Sequence, residues 1–175
     1  MTDWSQVLAE YGGIVWKTVR RLVNDDADAA DCFQETFVAA WEFSRKRSVQ
    51  NWPGLLKRLA TARALDQLRK RMRTAVVSLP AEATTKLSGQ LPPPAAAEEN
   101  ELFDQLRAEL AALPSDQAEV CCLRFLESFS YEQIADELGL TINHVGVLLH
   151  RAKSALQNSL AAFAPTGHNK REVDS

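Results

Sequence analysis

Ser130-Tyr131-Glu132-Gln133-Ile134-Ala135-Asp136-Glu137-Leu138-Gly139-Leu140-Thr141-Ile142-Asn143-His144-Val145 is the stretch on which the fold turns. Ser130 and Gln133 have the spacing of a capping box, in which each side chain satisfies the other residue's free backbone N–H. Tyr131, Ile134, Ala135 and Leu138 mark one face of a short helix, and Gly139 falls where a left-handed C-cap is needed. Thr141 can then cap a longer helix lined by Val145, Leu149, Ala152, Leu156 and Leu160. A short helix, a glycine turn and a longer helix make a helix-turn-helix. An ordinary helical hairpin shares much of this pattern. The capping box, Gly139 and the small inward Ala135 together favour the DNA-binding unit.

Helical spacing continues upstream. Ser115 can cap a helix running to about Glu127, with Ala118, Cys122 and Phe125 inward. Leu102, Leu106, Leu110 and Leu113 mark a preceding helix that stops at Pro114. Residues 74–97, TAVVSLPAEATTKLSGQLPPPAAA, carry two charges and four prolines and show no durable period. They read as an extended, stiff linker.

Before the linker lie three more helical stripes. Trp4, Val7, Leu8, Tyr11, Ile14, Val15, Thr18 and Leu22 form the first. Ala29, Ala30, Phe33, Phe37, Ala40 and Trp41 form the second, after Asp25 or Asp26 as N-cap. Leu55, Leu59, Ala62, Leu65, Leu68 and Met72 form the third, with Pro53 in its first turn and its bases expected outside. There is no strand alternation. The fold class is therefore all-α, in two small helical domains: a bundle at 1–73 and a helix-turn-helix domain at 98–163. They are joined by the 74–97 linker and followed by a polar, flexible tail at 164–175.

Charge is segregated along the first domain. Residues 25–42 hold six acids (Asp25, Asp26, Asp28, Asp31, Glu35, Glu42) and no Lys or Arg. Residues 45–73 hold ten bases, Arg45, Lys46, Arg47, Lys57, Arg58, Arg63, Arg69, Lys70, Arg71 and Arg73, against one acid, Asp66. Half of the chain's 20 Lys and Arg sit in that block, so the net charge of −3 hides a phosphate-seeking surface. Trp41, Phe43 and Trp52 flank its start, where aromatic rings can stack on unpaired bases.

The remaining features exclude other classes. Three cysteines, Cys32 and the adjacent Cys121 and Cys122, give neither a disulfide framework nor a metal-ligand spacing, and fit a reducing cytoplasm. His144, His150 and His168 have no ligand spacing with them. The acidic block has no partner histidine or Gly-rich phosphate loop, so it reads as a docking face for a protein and not as a catalytic site. The first residues lack a signal-peptide pattern, and no apolar run approaches membrane-spanning length, so no membrane insertion is expected.

Three collinear segments resemble the extracytoplasmic-function group of bacterial RNA polymerase sigma factors. Asp28-Ala-Ala-Asp31-Cys-Phe-Gln34-Glu35-Thr-Phe37-Val-Ala-Ala-Trp41 is similar to the group's core-polymerase-binding segment. Leu59-Ala-Thr-Ala-Arg63-Ala-Leu65-Asp66-Gln-Leu68-Arg69-Lys-Arg71 resembles its promoter-melting and minus-ten-recognition helix. Leu113-Pro114 through Arg151-Ala152-Lys153 resembles the domain that reads the minus-thirty-five element.

The resemblance implies an alternative sigma factor whose partners are core RNA polymerase, promoter DNA and an anti-sigma protein. It implies neither cofactor nor enzyme activity of its own, since the polymerase performs the chemistry. Asp28, Asp31, Gln34, Glu35, Phe37 and Trp41 would dock on polymerase. Arg45, Lys46, Arg47, Trp52, Arg58, Arg63, Arg69, Lys70, Arg71 and Arg73 would hold the opening strands, the segment from about Phe43 to Pro53 capturing a flipped base. Thr141, Asn143, His144, His150 and Arg151 would meet duplex DNA.

Two departures from the group's pattern matter. Ala62 stands where an asparagine is common, and Gly146-Val147-Leu148 replaces a Lys, Ser, Arg series in the reading helix. Those three cannot donate to a base edge, whereas bidentate donors contribute roughly 1–3 kcal/mol of discrimination each. Weak or unusual minus-thirty-five reading is therefore expected. An alternative is a sigma-like adaptor that sequesters an anti-sigma protein without touching DNA; ten bases in one block argue against it. A stand-alone helix-turn-helix repressor is disfavoured by the acidic first domain.

Overall fold

The computed structural model describes the backbone of residues 2–77 and 94–162, and the side chains of 2–77 and 100–162. Most of the expected linker and all of the 164–175 tail, including His168, lie outside the described residues. Within them run α1 (Trp4–Leu22), α2 (Asp26–Lys46), α3 (Trp52–Val77), α4 (Pro94–Ala112), α5 (Ser115–Phe125), α6 (Tyr131–Leu138) and α7 (Ile142–Ala161), with no strand. The all-α reading holds. Helix α3 continues four residues past Arg73, and α4 begins at Pro94.

The caps follow the sequence closely. Asp3 accepts from Ser5 N and Gln6 N at the head of α1, and Asp25 Oδ1 accepts from Asp28 N at 3.0 Å at the head of α2. Asn51 Oδ1 accepts from Gly54 N at 3.0 Å, which starts α3 beside Pro53. The capping box is complete: Ser130 N donates to Gln133 Oε1 at 2.8 Å, and Gln133 N donates to Ser130 Oγ at 3.1 Å. Thr141 Oγ1 accepts from His144 N at 3.2 Å. Ser115 does not cap α5. It is the helix's first residue, behind Pro114, and no side chain caps that end.

Helix α3 organises the packing, touching α1, α2, α4, α5 and α6. Leu55, Leu56, Ala60, Thr61, Ala64, Leu65 and Leu68 are buried, which is too many for a single stripe. One side of α3 closes the first bundle against Val15, Val19, Leu22, Ala29, Cys32 and Ala40. The other receives Leu110, Leu113, Ala118 and Cys122 from the second domain, so both domains share one apolar core. A smaller cluster, Val120, Leu123, Phe129, Ile134, Val145, Leu148 and Leu149, holds the helix-turn-helix together.

Several expectations need correction. The bases of α3 are not all outside: Lys57, Arg58, Arg63 and Arg69 are half-buried, and only Lys70, Arg71 and Arg73 are exposed. Glu127 and Glu137 of the second domain cover Lys57 and Arg58, and nothing in a one-helix pattern announces that. Phe125, expected inward, is 61% exposed, and Leu8 is 47% exposed. Met72, expected in the α3 stripe, is exposed because α3 runs on past the bundle at that point.

A turn and a cap constrain the second domain. Gly139 has φ +65 with open space where a Cβ would sit, so Gly139→Ala adds left-handed strain without a clash. It is expected to cost about 1 kcal/mol, and Ser130→Ala a similar amount through the lost cap; both lower the urea midpoint with circular dichroism as readout.

Candidate functional site

The acidic surface is a row on α2. Asp31, Gln34 and Glu35 line a shallow groove with Val38, Ala39, Glu42 and Arg63. The i, i+3, i+4 spacing of 31, 34, 35 and 38 puts them on one helix face. Val38 is 56% exposed and Trp41 44%, so the row carries an apolar strip beside its carboxylates. Val38 and Glu42 are absent from the expected polymerase-facing set; their i+3 and i+4 relation to Glu35 and Val38 was the available signal. Phe37 faces elsewhere, its ring 5.0 Å from Phe33 in a cluster with Trp16. Asp28 is bound by Arg71 Nε at 3.1 Å, and Asp25 lies 3.6 Å from Arg71 Nη2. The acidic and basic blocks therefore meet at that edge.

The basic residues fall into two groups. Arg63, Arg69, Lys70 and Arg73 converge on a polar cleft of α3, with Glu35, Asp66 and Ser115 at its lip. Arg45, Lys46 and Arg47 are exposed at the end of α2, where Arg45 lies over the Trp41 ring at 4.9 Å. Trp52 is half-buried, edge-on to Trp4 at 5.4 Å.

The other group is already occupied. Lys57 Nζ lies 3.3 Å from Glu127 Oε2 and 5.7 Å from the centre of the Phe129 ring. Glu127 is 6% exposed and also accepts from Thr18 Oγ1 at 2.9 Å and Arg21 Nη1 at 2.8 Å. Arg58 Nε lies 3.5 Å from Glu137 Oε2, and a Cβ on Gly54 would sit only 2.5 Å from Glu137 Oε1. Lys57 is another functional candidate missing from the expected set. A signal was present: residues 98–163 hold eleven acids and four bases, an imbalance that suits a basic neighbour.

Burial shapes the chemistry of these groups. Desolvation holds the Glu119 carboxyl above the usual range; Arg58 and Arg69 oppose the rise, and Asp66 adds to it. Desolvation likewise raises Glu137, against Arg58. Burial pushes the Cys32 and Cys121 thiols to about 11 and raises Cys122 as well, so all three stay protonated at neutral pH. They are packing residues in this structure.

The outward face of α7 carries Asn143, Val147, His150 and Arg151, with His144 exposed beside them. Leu148 is not on it: at 2% exposure it belongs to the core. Gly146 is half-covered by Tyr131, whose ring carbon would lie 3.8 Å from a Cβ there. Of Gly146-Val147-Leu148, then, only Val147 faces out fully. The Thr141 hydroxyl serves as the helix cap.

The profile for Sigma-70 region 2 matches residues 7–74, and that for Sigma-70, region 4 matches residues 103–156. The chain is 30% identical over 166 residues to the ECF RNA polymerase sigma factor SigE of Mycolicibacterium smegmatis, covering 92% of this chain and 63% of that protein. It is 29% identical to SigL of Mycobacterium tuberculosis, covering 90% of this chain and 88% of the relative. Among solved structures, the sigma factor RpoE in complex with the anti-sigma factor NepR from Bartonella quintana aligns with TM-score 0.54 at 23% identity, over 92% of this chain and 98% of that one. CnrH in complex with the cytosolic domain of CnrY aligns with TM-score 0.59 at 22% identity, over 91% and 88%. The chain belongs to the sigma-70 family, in its extracytoplasmic-function group.

A carboxyl whose pKa is raised on folding opposes folding while ionised; the penalty is full above the raised pKa, shrinks as pH falls through it and is gone below the ordinary carboxyl pKa. Glu119→Gln is therefore expected to raise the urea midpoint at neutral pH. The gain should shrink to nothing as the pH is lowered to where Glu119 is protonated in both the folded and the unfolded chain.

Proposed function

We propose that this chain is an alternative sigma factor: it binds core RNA polymerase, brings it to a small promoter set and holds the DNA strands as they separate. One observation carries this reading. A single small bundle presents an acidic, apolar-striped row (Asp31, Gln34, Glu35, Val38, Trp41) on α2 and a basic cleft (Arg63, Arg69, Lys70, Arg73) on α3, and it is joined to a helix-turn-helix. The row suits a basic protein surface, and the cleft suits phosphate.

Opening a duplex costs stacking energy, and an unstacked base held by protein offsets part of it. The exposed bases at the end of α2, Arg45, Lys46 and Arg47, are the side chains that would hold the strand there. On α7, Asn143, His150 and Arg151 can reach base edges or phosphate, and the Val147 methyls suit thymine. Bond making belongs to the polymerase, so this chain acts as a specificity subunit in the compartment that holds the chromosome. No helix among the described residues is long and apolar enough to cross a membrane. One solved structure of similar fold is a complex with an anti-sigma factor, NepR, and we extend that class of partner to this chain.

The experiment is transcription from a mapped promoter by core polymerase with and without the chain. Promoter-dependent product is expected only with it. Glu35→Arg should weaken polymerase association at least about tenfold, as expected for a like charge placed in a complementary interface. Lys70→Glu with Arg73→Glu should leave association intact and abolish permanganate-reactive open complexes. Loss of both functions together would contradict the two-surface reading. An adaptor that only sequesters an anti-sigma protein is favoured by one observation, the sparse donor set on α7. Clear promoter melting eliminates it.

A further inference from the structure

The corner between α5 and α6 places on the basic platform what a nucleic-acid strand would place there. Glu127 presents a carboxylate to Thr18, Arg21 and Lys57 at 2.9, 2.8 and 3.3 Å. Phe129 lays its ring by Lys57 at 5.7 Å, as an unstacked base would. Glu137 meets Arg58 at 3.5 Å. Anions and an aromatic ring on a lysine–arginine platform are the chemistry of a DNA strand, supplied by the chain itself.

We propose that this corner is an intramolecular mimic of the promoter strand: it occupies Lys57, Arg58 and their neighbours in the free chain, which must part its domains before DNA can bind there. The proposal rests on the sigma-factor reading for the identity of the ligand. Occupation is mutually exclusive, because a phosphate within reach of Lys57 would stand against the buried Glu127 carboxylate.

The contact is built to close and also to open. Glu127 is held in place by a turn in which Ser128 adopts a left-handed φ of 59, with Phe129 N donating to Leu123 O at 3.0 Å. Around it, satisfaction is incomplete. Arg58 Nε and Arg69 Nη2 are buried with no hydrogen-bond acceptor among the described residues, although Arg58 has Glu137 as an ion-pair partner. Buried donors left unmade weaken the closed form, and a phosphate strand would supply acceptors to both. Burial also raises the Glu119 and Glu137 carboxyls, so the closed form holds acids that prefer water.

The test uses the full chain, a fluorescent single-stranded oligonucleotide and small-angle scattering at low ionic strength. The double variant Glu127→Gln, Glu137→Gln keeps side-chain shape and removes both charges. It is expected to enlarge the radius of gyration and to tighten oligonucleotide binding about tenfold, the factor by which the binding-competent fraction would rise. A variant of unchanged helicity that stays compact and binds no tighter overturns the proposal. A second arm needs no mutation: oligonucleotide added to the unmodified chain should speed amide exchange at residues 126–130, since coupling is reciprocal. Binding that leaves those amides unchanged or slower overturns it as well. Promoter-dependent transcription with core polymerase, run on the same preparation, reads the sigma activity separately. Its absence with opening intact would sink the activity and leave the mimic standing.

Discussion

A carboxylate taken out of water costs several kcal/mol unless its lone pairs are met, and Glu127 is such a carboxylate. Its donors come from two helices of the first domain: Thr18 and Arg21 on α1, and Lys57 on α3. All three must be in place for Glu127 to be tolerated at 6% exposure, so the turn after α5 docks only on a formed first bundle. Arg21 Nη1 also donates to Leu126 O at 2.6 Å, tying the same turn through its backbone. From that anchor follow the approach of α6 to Gly54 and the shared core of Leu110, Leu113 and Cys122.

Charge segregation is the second organising feature, and its meaning differs between sequence and space. Along the chain, acids precede bases with a clean switch between Glu42 and Arg45. In the fold, α2 keeps its carboxylate row open, whereas α3 shares its bases among three environments. Arg71 is paired with Asp25 and Asp28, Lys57 and Arg58 are covered by the second domain, and Arg63, Lys70 and Arg73 line an accessible cleft. The accessible set is smaller than the composition suggests. It is also more directional, its members converging on one cleft of α3.

Much of the architecture was legible in the residues. The capping box, the left-handed Gly139, the Thr141 cap and the Asp25 cap are local hydrogen-bond devices, and each sits where its spacing says. Helix positions followed from period, because each amphipathic helix has one wet side. Helix α3 is the exception and explains most misses: buried on two sides, it has no single stripe, so its bases looked outward. Leu148 was also misplaced. Its i+3 relation to the inward Val145 was the available signal, and it packs with Val120 and Ile134.

The sequence alone determined the approximate places of the seven helices of the described residues, the two-domain order, the sign change and the family. These rest on short-range hydrogen bonds, helical period and collinear motifs, all of which are local in the chain. Only the tertiary structure decided which charges are free. Thr18 and Glu127 are 109 residues apart, and no local pattern joins them. Burial, desolvation and ion pairing are properties of what lies on the far side of a helix, and that is settled when the domains meet.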